Sequence, residues 1–191
     1  MKIADAYRDL YVDIRKKKYF LIFTALIFFM AAVLTVVNSP ELRRVLLEVV
    51  GAIRGLSQSY DNKALLYIVA SILVHNAIAL FIALFSGALF GLIPISMVAA
   101  NGYLVGFVVI PRLSDIALLI PHGIFELPAI ILTCSYGIWL GLWPFNQGRI
   151  ETLKFRLKQC IAIYFRVVIP LLVIAAIIEG GLFKYMLRHL R

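Results

Sequence analysis

The feature that most constrains the fold is a stretch of 48 residues, from Ala64 to Pro111, that contains no Asp, Glu, Lys or Arg. As one helix it would measure about 72 Å. The hydrocarbon core of a bilayer is only about 30 Å thick, and about 20 apolar residues cross it. The stretch therefore predicts two membrane-spanning helices. Gly87, Gly91 and Pro94 weaken helix continuity, so we expect the break between Ser86 and Pro94.

Two further apolar stretches and the C-terminal region predict three more spans. The stretch from Tyr19 to Pro40 is too long for the apolar region of a cleaved signal peptide and is interpreted as a retained first span. The stretch from Ile116 to Gly148 contains one charge, Glu126, and we expect Pro121 and Gly123 to divide it into a short re-entrant or interfacial lead and a full span. The predicted spans cover about residues 19–38, 64–86, 93–110, 122–143 and 160–183 of a single integral membrane domain, residues 1–191.

This pattern predicts an all-α protein, a polytopic transmembrane helix bundle of about five full spans with a short re-entrant or interfacial helix and amphipathic surface helices. The composition, 63% hydrophobic and 15% charged, excludes an ordinary soluble domain and a disordered chain. The net charge of +9 indicates contact with lipid headgroups rather than with nucleic acid. The basic cluster from Arg15 to Lys18 favours a cytoplasmic N-terminus.

Segments outside the spans are amphipathic. Between Pro40 and Gln58, apolar residues recur at helical spacing, which predicts a helix lying in the membrane interface over about residues 40–58. The N-terminal segment and the segment from Gln147 to Gln159 show a similar pattern. Cys134 and Cys160 are too few for a disulfide framework or a cysteine metal site, and no residue pattern identifies a cofactor.

Eight glycines form four pairs with a spacing of four residues, which places both members of a pair on one helix face. Such faces let a neighbouring backbone approach closely, so we expect tight helix packing. The neighbour belongs either to the same chain or to another copy. The pairs are Gly51 with Gly55, Gly87 with Gly91, Gly102 with Gly106, and Gly137 with Gly141.

Six polar residues lie inside the predicted spans and form the candidate polar cluster: His75, Asn76, Asn101, His122, Glu126 and Glu179. An ionised carboxylate in hydrocarbon costs about 2.5 to 3.5 kcal/mol even on insertion scales, so each should face a partner, a cavity or the interface. Alternating helix directions predict that all six lie on one half of the bilayer. His122 and Glu126, one turn apart, suit a metal site or a proton-transfer pair.

Each of these residues also has a structural interpretation. His75 can be a core histidine, and the two asparagines can bridge helices. Glu126 can stabilise the start of a helix through the helix dipole. Glu179 can pair at the interface with Lys184 or Arg188.

The chain resembles the stage II sporulation protein M family over about residues 64–183. The resemblance rests on NGYLVG at residues 101–106, PHGIFELPAI at 121–130 and IEG at 178–180, with His75 and Asn76 in a compatible position. It implies a multispanning protein of a prokaryotic plasma membrane. In the family's namesake, it implies a protein that holds cell-wall hydrolases at the septal membrane, although relatives also occur in prokaryotes that do not sporulate.

The leading hypothesis is a membrane scaffold or complex subunit whose partners are the lipid bilayer and other membrane proteins or further copies of the chain. The main alternative is a transporter or channel component that uses the intramembrane carboxylates. A second alternative is an intramembrane metalloenzyme that uses both histidines and both glutamates of the candidate polar cluster. The sequence contains no HExxH, P-loop, dinucleotide or Gly-x-Ser-x-Gly motif, which disfavours an enzyme of those classes.

Overall fold

The structure is a computed structural model that describes residues 3–37, 44–48, 51, 63–109 and 116–189. Within those ranges the regular elements are all helical, so the protein is an all-α helix bundle. The helices are α1 (Ile3–Lys16), α2 (Lys18–Leu34), α3 (Leu65–Ser86), α4 (Leu92–Val109), α5 (Ile116–Gly141), α6 (Arg149–Ile163) and α7 (Ile169–His189). Short 3-10 turns follow α2 and α5, and a π-helical segment, Tyr164–Val168, joins α6 to α7.

Four described helical segments are long and apolar enough to cross a membrane: Leu65–Ser86, Leu92–Val109, Gly123–Phe145 and Arg149–Leu182. A fifth is present if α1 and α2 are counted together, although the chain bends by 65° between them. The architecture is therefore that of a polytopic membrane protein. The break in the long uncharged stretch lies at residues 87–91, where Gly91 adopts a left-handed φ of 71°.

One sequence expectation about helix ends is wrong. Pro121 and Gly123 do not divide the fourth apolar stretch, because α5 is one helix from Ile116 to Gly141. Pro121 lies near the start of this helix, and membrane helices tolerate proline where neighbours satisfy the freed carbonyl. Most of the amphipathic segment from Gln147 to Gln159 is helical as α6, which continues through the π-helical segment into α7.

Most of the expected interfacial helix over residues 40–58 lies outside the described residues. Within that range, residues 44–48 are described and are helical. The amphipathic N-terminal segment is present as α1. Leu10 is buried on its inner face, whereas Tyr7 and Tyr11 are exposed. Gly55 is also outside the described residues, and Gly51 has no neighbour within 4 Å of an added Cβ.

Helices α2 and α4 run parallel and approach each other at two glycines. A Cβ on Gly102 would overlap the backbone of Phe28, and a Cβ on Gly106 would overlap the backbone of Ala32. The same step of four residues separates the contacts on both helices. The neighbouring backbone therefore occupies the space of the missing side chains, within a single chain.

Helices α3 and α5 are also parallel and meet closely at their C-terminal ends. A Cβ on Gly87 would overlap the backbone of Gly137, and one on Gly141 would overlap the backbone of Gly87 and Gly91. Helix α7 runs in the opposite direction to α3, since Gly180 lies against Val69 and Leu65, near the start of α3. The core lies between α3, α5 and α7 and includes Leu84, Tyr136, Leu140, Ile163, Val168 and Leu172.

The α2–α4 contact predicts a strong effect of one methyl group. Gly106→Ala should lower the free energy of unfolding by about 1 to 3 kcal/mol, because the added Cβ has only backbone to displace. The control is Gly181→Ala on α7, where nothing lies within 4 Å. That variant should be neutral or slightly stabilising, since alanine favours helix more than glycine does. Melting temperatures in detergent test this, and equal melting of the two variants would contradict the described packing.

Candidate functional site

The structure brings two of the six predicted polar residues together. The side-chain amide of Asn76, on α3, donates a hydrogen bond of 3.3 Å to Oε1 of Glu126, on α5. Both side chains are half-buried. Gly87 and Gly137 meet eleven residues further along each helix. The Asn76–Glu126 pair therefore lies about 16 Å along the helices from the glycine contact, at the middle of the apolar helix α3.

The other described members of the candidate polar cluster do not bond to this pair. His75 is exposed on the outer surface of α3, so it is not a core histidine. The amide of Asn101 donates to the carbonyl oxygen of Met97 in its own helix, at 2.9 Å. Glu179 is half-buried and forms no ion pair with Lys184 within the described residues.

His122 lies in α5, one turn before Glu126, and its side chain is outside the described part of the structure. A single cluster of all six residues therefore stays a prediction. Among the side chains that are described, no group of three His, Cys, Asp or Glu is placed to hold a metal ion.

A second polar site, which the sequence analysis missed, lies where the α1–α2 bend meets the C-terminal end of α5 and the start of α6. We call it the junction cluster, and it consists of Asp13, Lys17, Tyr136, Trp139, Arg156 and Gln159. Its centre is Lys17, only 6% exposed at the bend. The Lys17 ammonium donates to Oδ1 of Asp13 at 2.5 Å and to Oε1 of Gln159 at 3.0 Å.

The carboxylate of Asp13 links α1 to α5 as well. Its second oxygen, Oδ2, accepts a hydrogen bond of 2.6 Å from the hydroxyl of Tyr136, a fully buried residue. The Asp13 carboxylate thus accepts one hydrogen bond from an ammonium at the α1–α2 bend and one from a phenol on α5. Charge-assisted hydrogen bonds of this kind are stronger than those between neutral groups.

Two cations of the junction cluster lie near the same indole ring. The ammonium of Lys17 is 4.1 Å from the Trp139 ring centroid, and Cζ of Arg156 is 4.8 Å from it. Arg156 is 7% exposed and also donates, through Nη1, to the carbonyl oxygen of Trp139. Burial of both cations beside an aromatic ring strengthens the cation–π attraction.

Other polar contacts join α5 to α2, the π-helical segment to α3, and the 3-10 turn after α5 to the residues between α3 and α4. Ser135 donates to the hydroxyl oxygen of Thr24, on α2, at 3.1 Å. The hydroxyl of Tyr164 donates to the carbonyl oxygen of Ala77, on α3, at 2.7 Å. The indole of Trp143 donates to the carbonyl oxygen of Ala88 at 3.0 Å. Helix α5 is therefore the element to which most described polar contacts between helices lead.

One signal in the sequence indicates the junction cluster. Arg156 lies three residues after Leu153 and four before Cys160, so a cation interrupts an apolar stripe. The structure buries Arg156 and Cys160 on that stripe, whereas Ile150, three residues before Leu153, is 62% exposed. A cation on a buried stripe requires compensation, and this indicates a polar site.

The sequence pattern of the family described as stage II sporulation protein M matches residues 19–182 of this chain. This match covers most of the chain, so the protein belongs to that family. It includes the candidate polar cluster and all of the junction cluster except Asp13 and Lys17.

A more distant relative is an uncharacterized protein of the archaeon Methanocaldococcus jannaschii. It is 32% identical over 102 residues, which cover 47% of this chain and 45% of the relative. The matched region thus spans slightly less than half of the relative's length. No solved structure matches the chain.

The Asn76–Glu126 contact predicts a graded response at Glu126. Glu126→Ala should cost about 1 to 3 kcal/mol of stability, because the Asn76 amide loses its acceptor. Glu126→Gln keeps an acceptor oxygen and should cost less. The control, Glu151→Ala, removes an exposed carboxylate in α6 and should have the smallest effect. Detergent melting temperatures provide the measurement, and equal values for all three variants would show that the contact does not stabilise the bundle.

Proposed function

We propose that the protein is a non-enzymatic membrane scaffold, a subunit of a membrane-protein complex that binds its partner within the bilayer through α3. Membership of the stage II sporulation protein M family supports a multispanning membrane protein of this kind. The observation that carries the proposal is the exposed imidazole of His75 in the middle of α3.

An exposed histidine at this depth is unfavourable if only lipid surrounds it. Acyl chains offer no hydrogen-bond partner, so an imidazole there loses its contacts with water. A neighbouring helix provides such contacts, and polar side chains hydrogen-bond across helices in membranes. The same outer face of α3 carries Val74, Ile78 and Ile82, each more than half exposed. An apolar face with one central polar group suits a partner helix.

Adjacent residues of α3 then have different roles. Asn76 points inward to Glu126 and holds α3 to α5 within the chain. His75 lies about 100° further round the helix, where it faces away from its own bundle. The partner is another membrane protein or a second copy of this chain.

We also propose a location in the plasma membrane, with the junction cluster on the cytoplasmic side. Helices α1 and α6 and the bend at Lys17 lie on that side and are rich in cations. The excess of basic residues beside membrane helices is typical of cytoplasmic surfaces. The described cations there are Arg8, Arg15, Lys16, Lys17, Lys18, Arg149, Lys154, Arg156 and Lys158.

A second candidate function is that of a transporter or channel component, and the Asn76–Glu126 pair favours it. A half-buried carboxylate within a membrane helix is typical of ion and proton pathways. The Glu126 variants separate the two functions, because transport requires the carboxylate itself whereas the structural role requires only an acceptor.

The proposed interface can be tested by photocrosslinking in native membranes. A photoreactive amino acid in place of Ile78, beside His75, should give one discrete product of higher mass, because the partner helix lies against it. The control position is Ile174 on α7, which is also exposed and apolar. It should give only diffuse lipid adducts. Adding His75→Leu to the Ile78 variant should reduce the discrete product about tenfold, because the polar contact is lost. Equal products at residues 78 and 174 would contradict the proposal.

A further inference from the structure

The guanidinium of Arg156 is a buried cation without a counter-charge. Arg156 is 7% exposed, and the ion pairs among the described side chains join Arg8 to Asp5 and Lys17 to Asp13. Asp13 therefore balances Lys17, and one positive charge of the junction cluster stays uncompensated. Buried charges in proteins are normally paired, because desolvation is costly.

The hydrogen-bonding capacity of Arg156 is also largely unused. Its hydrogen bond within the described structure runs from Nη1 to the carbonyl oxygen of Trp139. A guanidinium has five N–H donors in a planar fork. Among the described side chains, only Thr133 Oγ1 is fully enclosed without a partner, so no nitrogen of Arg156 is both fully enclosed and unbonded. A planar fork of donors matches the geometry of a phosphate.

The surroundings of Arg156 resemble a membrane boundary. Exposed Lys154 and Lys158 flank it on α6. Phe155, next to Arg156 in the sequence, is 58% exposed and offers apolar contact to acyl chains. Trp139 presents its ring to both buried cations. Basic pockets between membrane helices, bordered by aromatic residues, are typical sites for anionic lipid headgroups.

We propose that Arg156, whose guanidinium lies against the ring of Trp139, binds the phosphate of an anionic phospholipid. The fork of Arg156 donates to the phosphate oxygens, and the exposed Phe155 contacts an acyl chain. The apolar contact distinguishes a lipid from free phosphate, which has the same anionic chemistry. The inference is independent of the partner surface on α3.

Native mass spectrometry of the whole chain in a mild detergent tests the site, with phosphatidylglycerol and phosphatidylcholine of equal chain length as probes. Wild-type protein should bind phosphatidylglycerol about tenfold more tightly. Arg156→Gln should abolish that preference, and Arg156→Lys should weaken it, because a lysine keeps the charge without the fork. The matched control is Arg149→Gln, which removes an exposed arginine from the same helix and should leave the preference unchanged.

Three results would overturn the proposal. Equal affinity of wild-type protein for the two lipids would do so even if Arg156→Gln failed to fold. Inorganic phosphate is the third probe, and displacement of phosphatidylglycerol by an equimolar amount of it would identify a free-phosphate site instead of a lipid site. Loss of the preference in Arg149→Gln as well would show that general surface charge, rather than Arg156, selects the lipid.

Discussion

The rest of the bundle depends on the ion pair and the hydrogen bond that the buried ammonium of Lys17 forms. Burial removes the water around the Lys17 ammonium, so the ammonium must find its hydrogen-bond partners in the protein. Asp13 and Gln159 supply them, and Tyr136 completes the carboxylate's coordination. These contacts fix α1, α2, α5 and α6 at one membrane surface. The glycine contacts then set the distances between helices, because they allow backbones to touch at Gly106 and at Gly137.

Helix α5 connects this structural core to both proposed functions. Tyr136 and Trp139, near its C-terminal end, belong to the junction cluster, where the uncompensated charge of Arg156 suits an anionic lipid. Glu126, near its middle, holds Asn76 and thereby orients α3, which leaves His75 on the outer surface. Glu126 and the α5 residues of the junction cluster are therefore separated by ten or more residues of one continuous helix, about 15 Å or more. A scaffold would be anchored at one membrane surface and would bind its partner deeper in the bilayer.

The number and order of apolar helices follow from the sequence, because charge-free stretches and the length of a membrane helix strongly restrict the chain. The pairing of Asn76 with Glu126 was expected only as part of a larger cluster, since spacing within a helix does not determine which helices are neighbours. The continuity of α5 through Pro121 was not predictable from local propensity, because proline normally favours a helix break. The junction cluster was missed for a related reason. Lys17 lies in a basic run that is normally solvated, and only the bend between α1 and α2 turns it inward.

The most direct test of the account is a double-mutant cycle between Asp13 and Tyr136. The variants are Asp13→Asn, Tyr136→Phe and the double variant, and the free energy of unfolding is measured in mixed micelles. If the carboxylate holds α1 to α5 through the phenol, the losses of stability in the two single variants should add up to more than the loss in the double variant. The difference, which is the coupling energy, should be about 1 to 3 kcal/mol. Additive effects within about 0.3 kcal/mol would contradict the claim that this contact organises the bundle.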